Sequence, residues 1–116
     1  MIKGIDHIEL IVRDLDEYVS FLKTLGFETV RETPHHGGSV EMKPPGEGQP
    51  VFEIHQVIGE EVIGVNHIAF KVDDVNAAHA ALKDYPGMVS SAPGHVKDTG
   101  RTNLNLRDPD GWRKFK

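Results

Sequence analysis

The chain repeats itself. Gly4-Ile5-Asp6-His7-Ile8-Glu9-Leu10-Ile11-Val12-Arg13-Asp14 returns sixty positions later as Gly64-Val65-Asn66-His67-Ile68-Ala69-Phe70-Lys71-Val72-Asp73-Asp74. Gly, His, Ile, Val and Asp stand at matching places, and apolar residues face apolar residues between them. An internal duplication of this kind constrains the fold strongly. Both halves must build the same unit, and each unit carries a histidine at the same point.

The first copy reads as a strand over residues 5–12, because Ile8, Leu10 and Val12 alternate with His7, Glu9 and Ile11. One face is apolar and the other carries His7 and Glu9. Asp14, with Glu17 three residues on, has the form of a capping box. Tyr18, Phe21, Leu22 and Leu25 then follow at helical spacing until Gly26, so a helix should cover the apolar face. Further strands are expected at 27–33, 39–43 and 51–57, with a Pro- and Gly-rich loop over 43–50.

The second half repeats the order. A strand over 65–72 leads to a helix capped by Asp74, with Ala78, Ala81, Leu82 and Tyr85 at the same spacing and Pro86-Gly87 at its end. Strands are expected at 88–91 and 101–106, separated by a loop over 93–100. Asp108-Pro109-Asp110-Gly111 forms a tight turn before a last strand over 112–116. The expected architecture is α+β, with two βαβββ modules forming curved mixed sheets around a cavity. One domain, 1–116, comprises module one (1–58), a linker (59–64) and module two (65–116).

Composition narrows the function classes. A chain of 116 residues with 38% apolar content suffices for one core, and no apolar run is long enough to suggest a membrane partner. Residues 1–5 enter the first repeat directly and leave no room for a secretory leader, so cytoplasm is the expected location. With no cysteine, a metal would rest on the seven histidines and eighteen acidic residues. A net charge of −5 without a basic stripe argues against nucleic acid as a partner.

Strand alternation gathers the candidate chemistry. His7 and His67 point away from their helices, and Glu53 alternates with the apolar Phe52 and Ile54. If the sheets curl around a shared cavity, His7, Glu53 and His67 converge as two imidazoles and a carboxylate. That donor set suits Zn²⁺, Ni²⁺, Mn²⁺ or Fe²⁺ with positions left open for a substrate. Glu9 and His55 share the faces of these residues and are the candidate catalytic groups. Arg101, Asn103 and Asn105 alternate along one face, either to bind a substrate carboxylate or as a polar solvent face. His35-His36, beside Gly37-Gly38, reads as mobile surface.

Asp6-His7-Ile8 before a capped helix, Phe52-Glu53-Ile54, Asn66-His67-Ile68-Ala69 and Asp108-Pro109-Asp110-Gly111, in this order over essentially the whole chain, resemble the vicinal-oxygen-chelate superfamily. That group includes glyoxalase I, methylmalonyl-CoA epimerase, extradiol dioxygenases, fosfomycin-resistance enzymes and bleomycin-resistance proteins. The resemblance implies metal ligands at His7, Glu53 and His67, and a homodimer with sites built from both chains. It also implies a fourth ligand, a Glu four residues after the glycine of the tight turn. Phe115 stands there, flanked by Lys114 and Lys116.

The expected activity is that of a metal-dependent lyase or isomerase of the glyoxalase I (lactoylglutathione lyase-like) type, acting on a small oxygenated substrate. The alternatives are a dioxygenase or epimerase of the same superfamily, or a metal-free small-molecule binding protein of the bleomycin-resistance type.

Overall fold

The computed structural model describes residues 1–112 and 115–116. β1 (Ile2–Val12) leads to α1 (Leu15–Thr24), and β2 (Glu28–Thr33), β3 (Ser39–Lys43) and β4 (Val51–Gln56) follow. The second half contributes β5 (Gly64–Val72), α2 (Val75–Leu82), β6 (Gly94–Val96) and β7 (Arg101–Asn103). The principal sheet has the order β2-β3-β4-β1-β5. β1 lies parallel to β4 and antiparallel to β5, so the duplicated strands pair with each other inside one chain. The architecture is the expected α+β one, with a mixed sheet.

Both helices start as the sequence dictates. The Asp14 carboxylate accepts from the Glu17 amide at 3.0 Å, and Asp74 accepts from the Asn76 and Ala77 amides at 2.9 and 3.2 Å. α1 closes on Gly26, whose φ of 96° only glycine adopts without strain. The Gly26 and Phe27 amides return to the Lys23 and Leu22 carbonyls, which makes the terminus a Schellman motif.

The core lies between α1 and one face of the sheet. Val12, Leu22, Val40, Met42 and Ile54 are buried there, with Leu10, Leu15, Tyr18, Val19, Phe27 and Phe52 around them. The buried stripe of α1 is therefore Leu15, Tyr18, Val19 and Leu22. Phe21 and Leu25, expected on that face, are 53% and 56% exposed, because the helix is rotated toward its Leu15 side and ends at Thr24. In α2 only Ala78 is buried, and Tyr85 lies exposed beyond the helix.

The later strands differ most from expectation. Residues 93–100, expected to be a loop, contain β6, which pairs antiparallel with β7. Among the described residues, the strands expected at 88–91, 101–106 and 112–116 are represented by β7 and by single bridges. Val89 bridges Leu106, Leu106 bridges Phe115, and Phe115 bridges Ile68. These bridges retain the order of the first half, in which β2, β3, β4 and β1 are neighbours. Of the last expected strand, residues 113 and 114 lie outside the described residues.

Candidate functional site

The face of the sheet opposite α1 is polar. Strand register aligns Arg31 (β2), Glu41 (β3), Glu53 (β4), Glu9 (β1) and His67 (β5) in one row across all five strands. An adjacent row sets Ser39 beside His55. His7, Glu9, Glu41, Glu53, His55 and His67 are each no more than 4% exposed. Three carboxylates on successive strands, about 4.8 Å apart, repel one another unless compensated.

Cations compensate them from two sides. Arg101 on β7 donates from Nη1 and Nη2 to Glu41 at 3.0 and 3.1 Å, from Nη1 to Glu53 at 2.9 Å, and from Nε to Asp6 at 2.9 Å. Arg31 pairs with Glu41 at 3.0 Å. Burial pushes the Glu41 carboxyl up, but the hydrogen bonds from Arg101 and Arg31 overrule it and hold the group below its usual range. Glu53 goes the other way: burial, with Glu9 and Glu41 nearby, raises it despite His7 and Arg101. The environment thus splits neighbouring carboxyls into a permanent anion and a group nearer to proton exchange.

The duplicated histidines face each other. Their Nε2 atoms are 3.1 Å apart and their rings stand at 80°. His7 Nδ1 lies 2.8 Å from Asp6, and His67 Nδ1 lies 2.8 Å from Glu9 and 2.8 Å from the Asn66 side-chain oxygen. An ionised carboxylate only accepts, so both Nδ1 atoms carry hydrogen. The hydrogen bond to His7 is the main reason that Asp6 is held at about 2. Glu9 is also held at about 2: burial pushes it up, and the hydrogen bond from His67 and the charges of the surrounding histidines bring it down. Burial lowers His67 and favours the neutral ring.

In their neutral forms, two rings with hydrogen on Nδ1 present Nε2 lone pairs to one another at 3.1 Å. That separation is close to the edge of a coordination shell whose metal–nitrogen bonds are roughly 2.0–2.1 Å, and a carboxylate behind each imidazole is the usual support of a metal-binding histidine. The two imidazoles suit a divalent metal, but Glu53 does not converge on them as expected: Arg101 holds it, and among the described residues it groups with Glu9 and His35 instead.

The other expected site residues are placed as follows. Glu53 stands in the same row, in the grip of Arg101. Glu9 and His55 are buried on this face, and His55 Nε2 is 3.1 Å from Glu61, a residue of the expected linker. Arg101 points into the carboxylate row and is not part of a solvent face. Asn103 is half-buried on the hairpin. Asn105 donates to Ser91 at 3.2 Å, away from the row. His35-His36, read as mobile surface, forms a single helical turn over the site, with the His36 ring stacked 4.5 Å from that of His55.

At the expected fourth-ligand position, the Phe115 ring stacks on Phe70 at 5.4 Å, on the α2 side of β5. Lys116 is close enough to His67 to disfavour its protonation. Sequence reasoning missed Glu41, Asp6, Arg31 and His36. Glu41, set between Val40 and Met42, carried the same signal as Glu53.

The profile of the Glyoxalase/Bleomycin resistance protein/Dioxygenase superfamily matches residues 4–113. A lactoylglutathione lyase from Haemophilus influenzae is 28% identical over 92% of this chain and 86% of its own length. Among solved structures, a methylmalonyl-CoA epimerase in complex with methylmalonyl-CoA and NH4+ has a TM-score of 0.77 at 23% identity, covering 96% of this chain and 88% of its own. The Mycobacterium tuberculosis methylmalonyl-CoA epimerase also scores 0.77, at 16% identity, covering 95% and 81%. These structures share the fold. With the profile spanning nearly the whole sequence, the chain belongs to the Glyoxalase/Bleomycin resistance protein/Dioxygenase superfamily.

Proposed function

We propose that this chain is a metal-dependent enzyme that moves a proton on the carbon next to a carbonyl of a thiol-linked substrate, with glyoxalase I-like isomerisation as its first reading. The observation that carries this is the pair of Nε2 atoms 3.1 Å apart, each ring backed by a carboxylate. His7 and His67 would hold a divalent ion, with Glu53, held by Arg101, beside it as the carboxyl available for proton transfer. Such an ion supplies Lewis-acid stabilisation of the oxyanion that forms when the proton leaves.

Every other task falls to the chain itself. Asp6 and Glu9 orient the two imidazoles through Nδ1. Glu53, the carboxyl that burial raises, is the group suited to take the substrate proton and return it. Arg101 keeps Glu41 ionised and steadies Glu53, and with Asn103 it offers the polar anchor for a substrate oxyanion. Lactoylglutathione and methylmalonyl-CoA, named by the relatives, are both thioesters of substituted acids, which supports the thiol-linked class. The reading includes a homodimer, for which exposed Phe21, Leu25, Ile63 and Val65 provide apolar surface.

The test is proton exchange in D₂O, followed by NMR. The protein is supplied with Ni²⁺, Zn²⁺, Mn²⁺ or Fe²⁺ and offered either the methylglyoxal–glutathione hemithioacetal or methylmalonyl-CoA. Metal-dependent exchange is expected with one of them, falling roughly 100-fold or more in Glu53→Gln. Isomerisation of the hemithioacetal selects the lyase, and racemisation of the CoA ester selects the epimerase. No exchange with any ion, together with tight metal-independent binding of a cationic glycopeptide, would favour the bleomycin-resistance type.

A further inference from the structure

Beside the His7–His67 pair lies a second donor set, linked to it through Glu9, which backs His67 with its other oxygen. Glu9 Oε1 is 3.3 Å from His36 Nε2 and 3.3 Å from His55 Nδ1, and the three atoms lie within 4.8 Å of one another. His55 is fully buried and Glu9 nearly so. Among the described residues, neither Glu9 Oε1 nor His55 Nδ1 has a hydrogen-bond partner.

The protons explain why. Glu9 gives its other oxygen to His67. The Nε2 of His55 faces the two Glu61 oxygens at 3.1 and 3.2 Å. Because a carboxylate only accepts, the hydrogen of a neutral His55 ring sits on Nε2, at the closer contact with Glu61, and in that form Nδ1 offers its lone pair. Nδ1 and Glu9 Oε1 then meet acceptor to acceptor, which is costly in a buried place and is relieved by a cation between them, either a proton on Nδ1 or a metal ion.

The spacing suits such a cation. Two donors, each roughly 2.0–2.2 Å from a shared ion at tetrahedral or octahedral angles, lie about 2.8–3.6 Å apart. His36 is the third donor. Among the described residues it alone, apart from glycines, has a positive φ, 51°, and its ring stacks on His55. A cleft of ≈370 Å³, lined by Leu15, His36, Gly37, Gln56 and Ile58, leads to it from solvent.

We propose that Glu9, His36 and His55 form a second divalent transition-metal site, which pins the His35–Gly37 turn to β1 and β4. Two imidazoles and one carboxylate suit Zn²⁺ and its neighbours, not Mg²⁺ or Ca²⁺, which take oxygen sets.

Zn²⁺ binding by equilibrium dialysis of the full chain tests this, with His7→Ala included to silence the neighbouring set. The His7→Ala protein should retain a single ion per chain. Adding His36→Asn should weaken that ion by more than the roughly 10–100-fold that loss of an outer-shell partner costs. Asparagine tolerates the positive φ, so the turn is kept. No retained Zn²⁺ in folded His7→Ala protein, or affinity unchanged by His36→Asn, would overturn the proposal. If His7→Ala does not fold, Co²⁺ added to the wild-type chain decides by NMR. Hyperfine-shifted ring protons of His36 and His55 support the site, and shifts confined to His7 and His67 overturn it.

Discussion

The two halves of the molecule begin from nearly the same eleven residues and end differently. In the first half, β1 is followed by a ten-residue helix that buries Leu22 and by three full strands. In the second half, β5 is followed by an eight-residue helix that buries only Ala78, and beyond it the described residues form bridges and a short hairpin. The bridges show which positions correspond. Ile68 meets Phe115 as Ile8 meets Phe52, and Leu106 meets Phe115 as Met42 meets Phe52. The counterparts of Glu9, Glu41 and Glu53 are thus Ala69, Asn105 and Lys116. Duplication supplied two histidines, and divergence put all the carboxylates of the row in one half and Arg101 in the other. The result is chemical asymmetry at a pseudo-symmetric seam, with one imidazole pair beside a one-sided carboxylate row.

The asymmetry is most sharply broken at Arg101. Arg101→Ala removes the partner shared by Asp6, Glu41 and Glu53, and should destabilise by up to about 3–5 kcal/mol, the cost of leaving a buried charge unpaired. Asn105→Ala, at the counterpart of Glu41, should stay within about 0.5 kcal/mol. Urea unfolding of the two variants measures the contrast, and equal effects would deny that the charge burden lies in one half.

The helices offer a second comparison. Leu22→Ala in α1 should cost about 2–5 kcal/mol, because the side chain is buried among Val12, Val40, Met42 and Ile54. Ala78→Gly in α2 should cost about 1 kcal/mol, mainly through helix propensity. Thermal unfolding that ranked them the other way would place the main core under α2.

Acidification reads the carboxylates directly. Asp6 and Glu9 are held at about 2, against ordinary values of 3.8 and 4.5. Their stabilisation is present above the ordinary values and is lost as pH falls from about 4.5 toward 2. The lowered His67 acts in the same direction, since its contribution is complete above 6.5 and declines as pH drops below that. Raised Glu53 opposes them, and its contribution is lost as pH rises through its folded value. The urea midpoint should therefore fall on acidification below pH 4.5, and Glu9→Gln should flatten that fall.

The helix caps should show the most symmetric effect. Asp14→Ala and Asp74→Ala each remove a helix cap that both halves retain, and each should cost about 1 kcal/mol. A large difference between them would mean that the duplicated starts have diverged as well.

What could be read from sequence follows the same division. The strand and cap of each copy, and the placing of His7, Glu9, Glu53, His55 and His67 on one face, follow from period-two alternation and from Asp14 and Asp74. The rotation of α1 was harder to read, because Phe21 and Leu25 fit a helical stripe as well as Leu15 and Val19 do, and only packing against the sheet chooses between them. The stretch around β7 alternates Arg101, Asn103 and Asn105 with Thr102, Leu104 and Leu106, but a polar alternation reads equally as a solvent face. Arg101 could not be placed in the carboxylate row without the β6–β7 hairpin, which spans a stretch rich in Gly and Pro that reads as loop. His36 was misjudged because adjacent glycines suggest mobility, whereas here they let the turn fold back over Glu9.

The central claim is that the duplicated histidines jointly hold a metal. Its most direct test is metal content after equilibration and dialysis in the His36→Asn background, which removes the neighbouring donor set. A single ion per chain is expected, lost equally in His7→Ala and His67→Ala. Full retention in either variant, or no ion in the parent, would contradict the account.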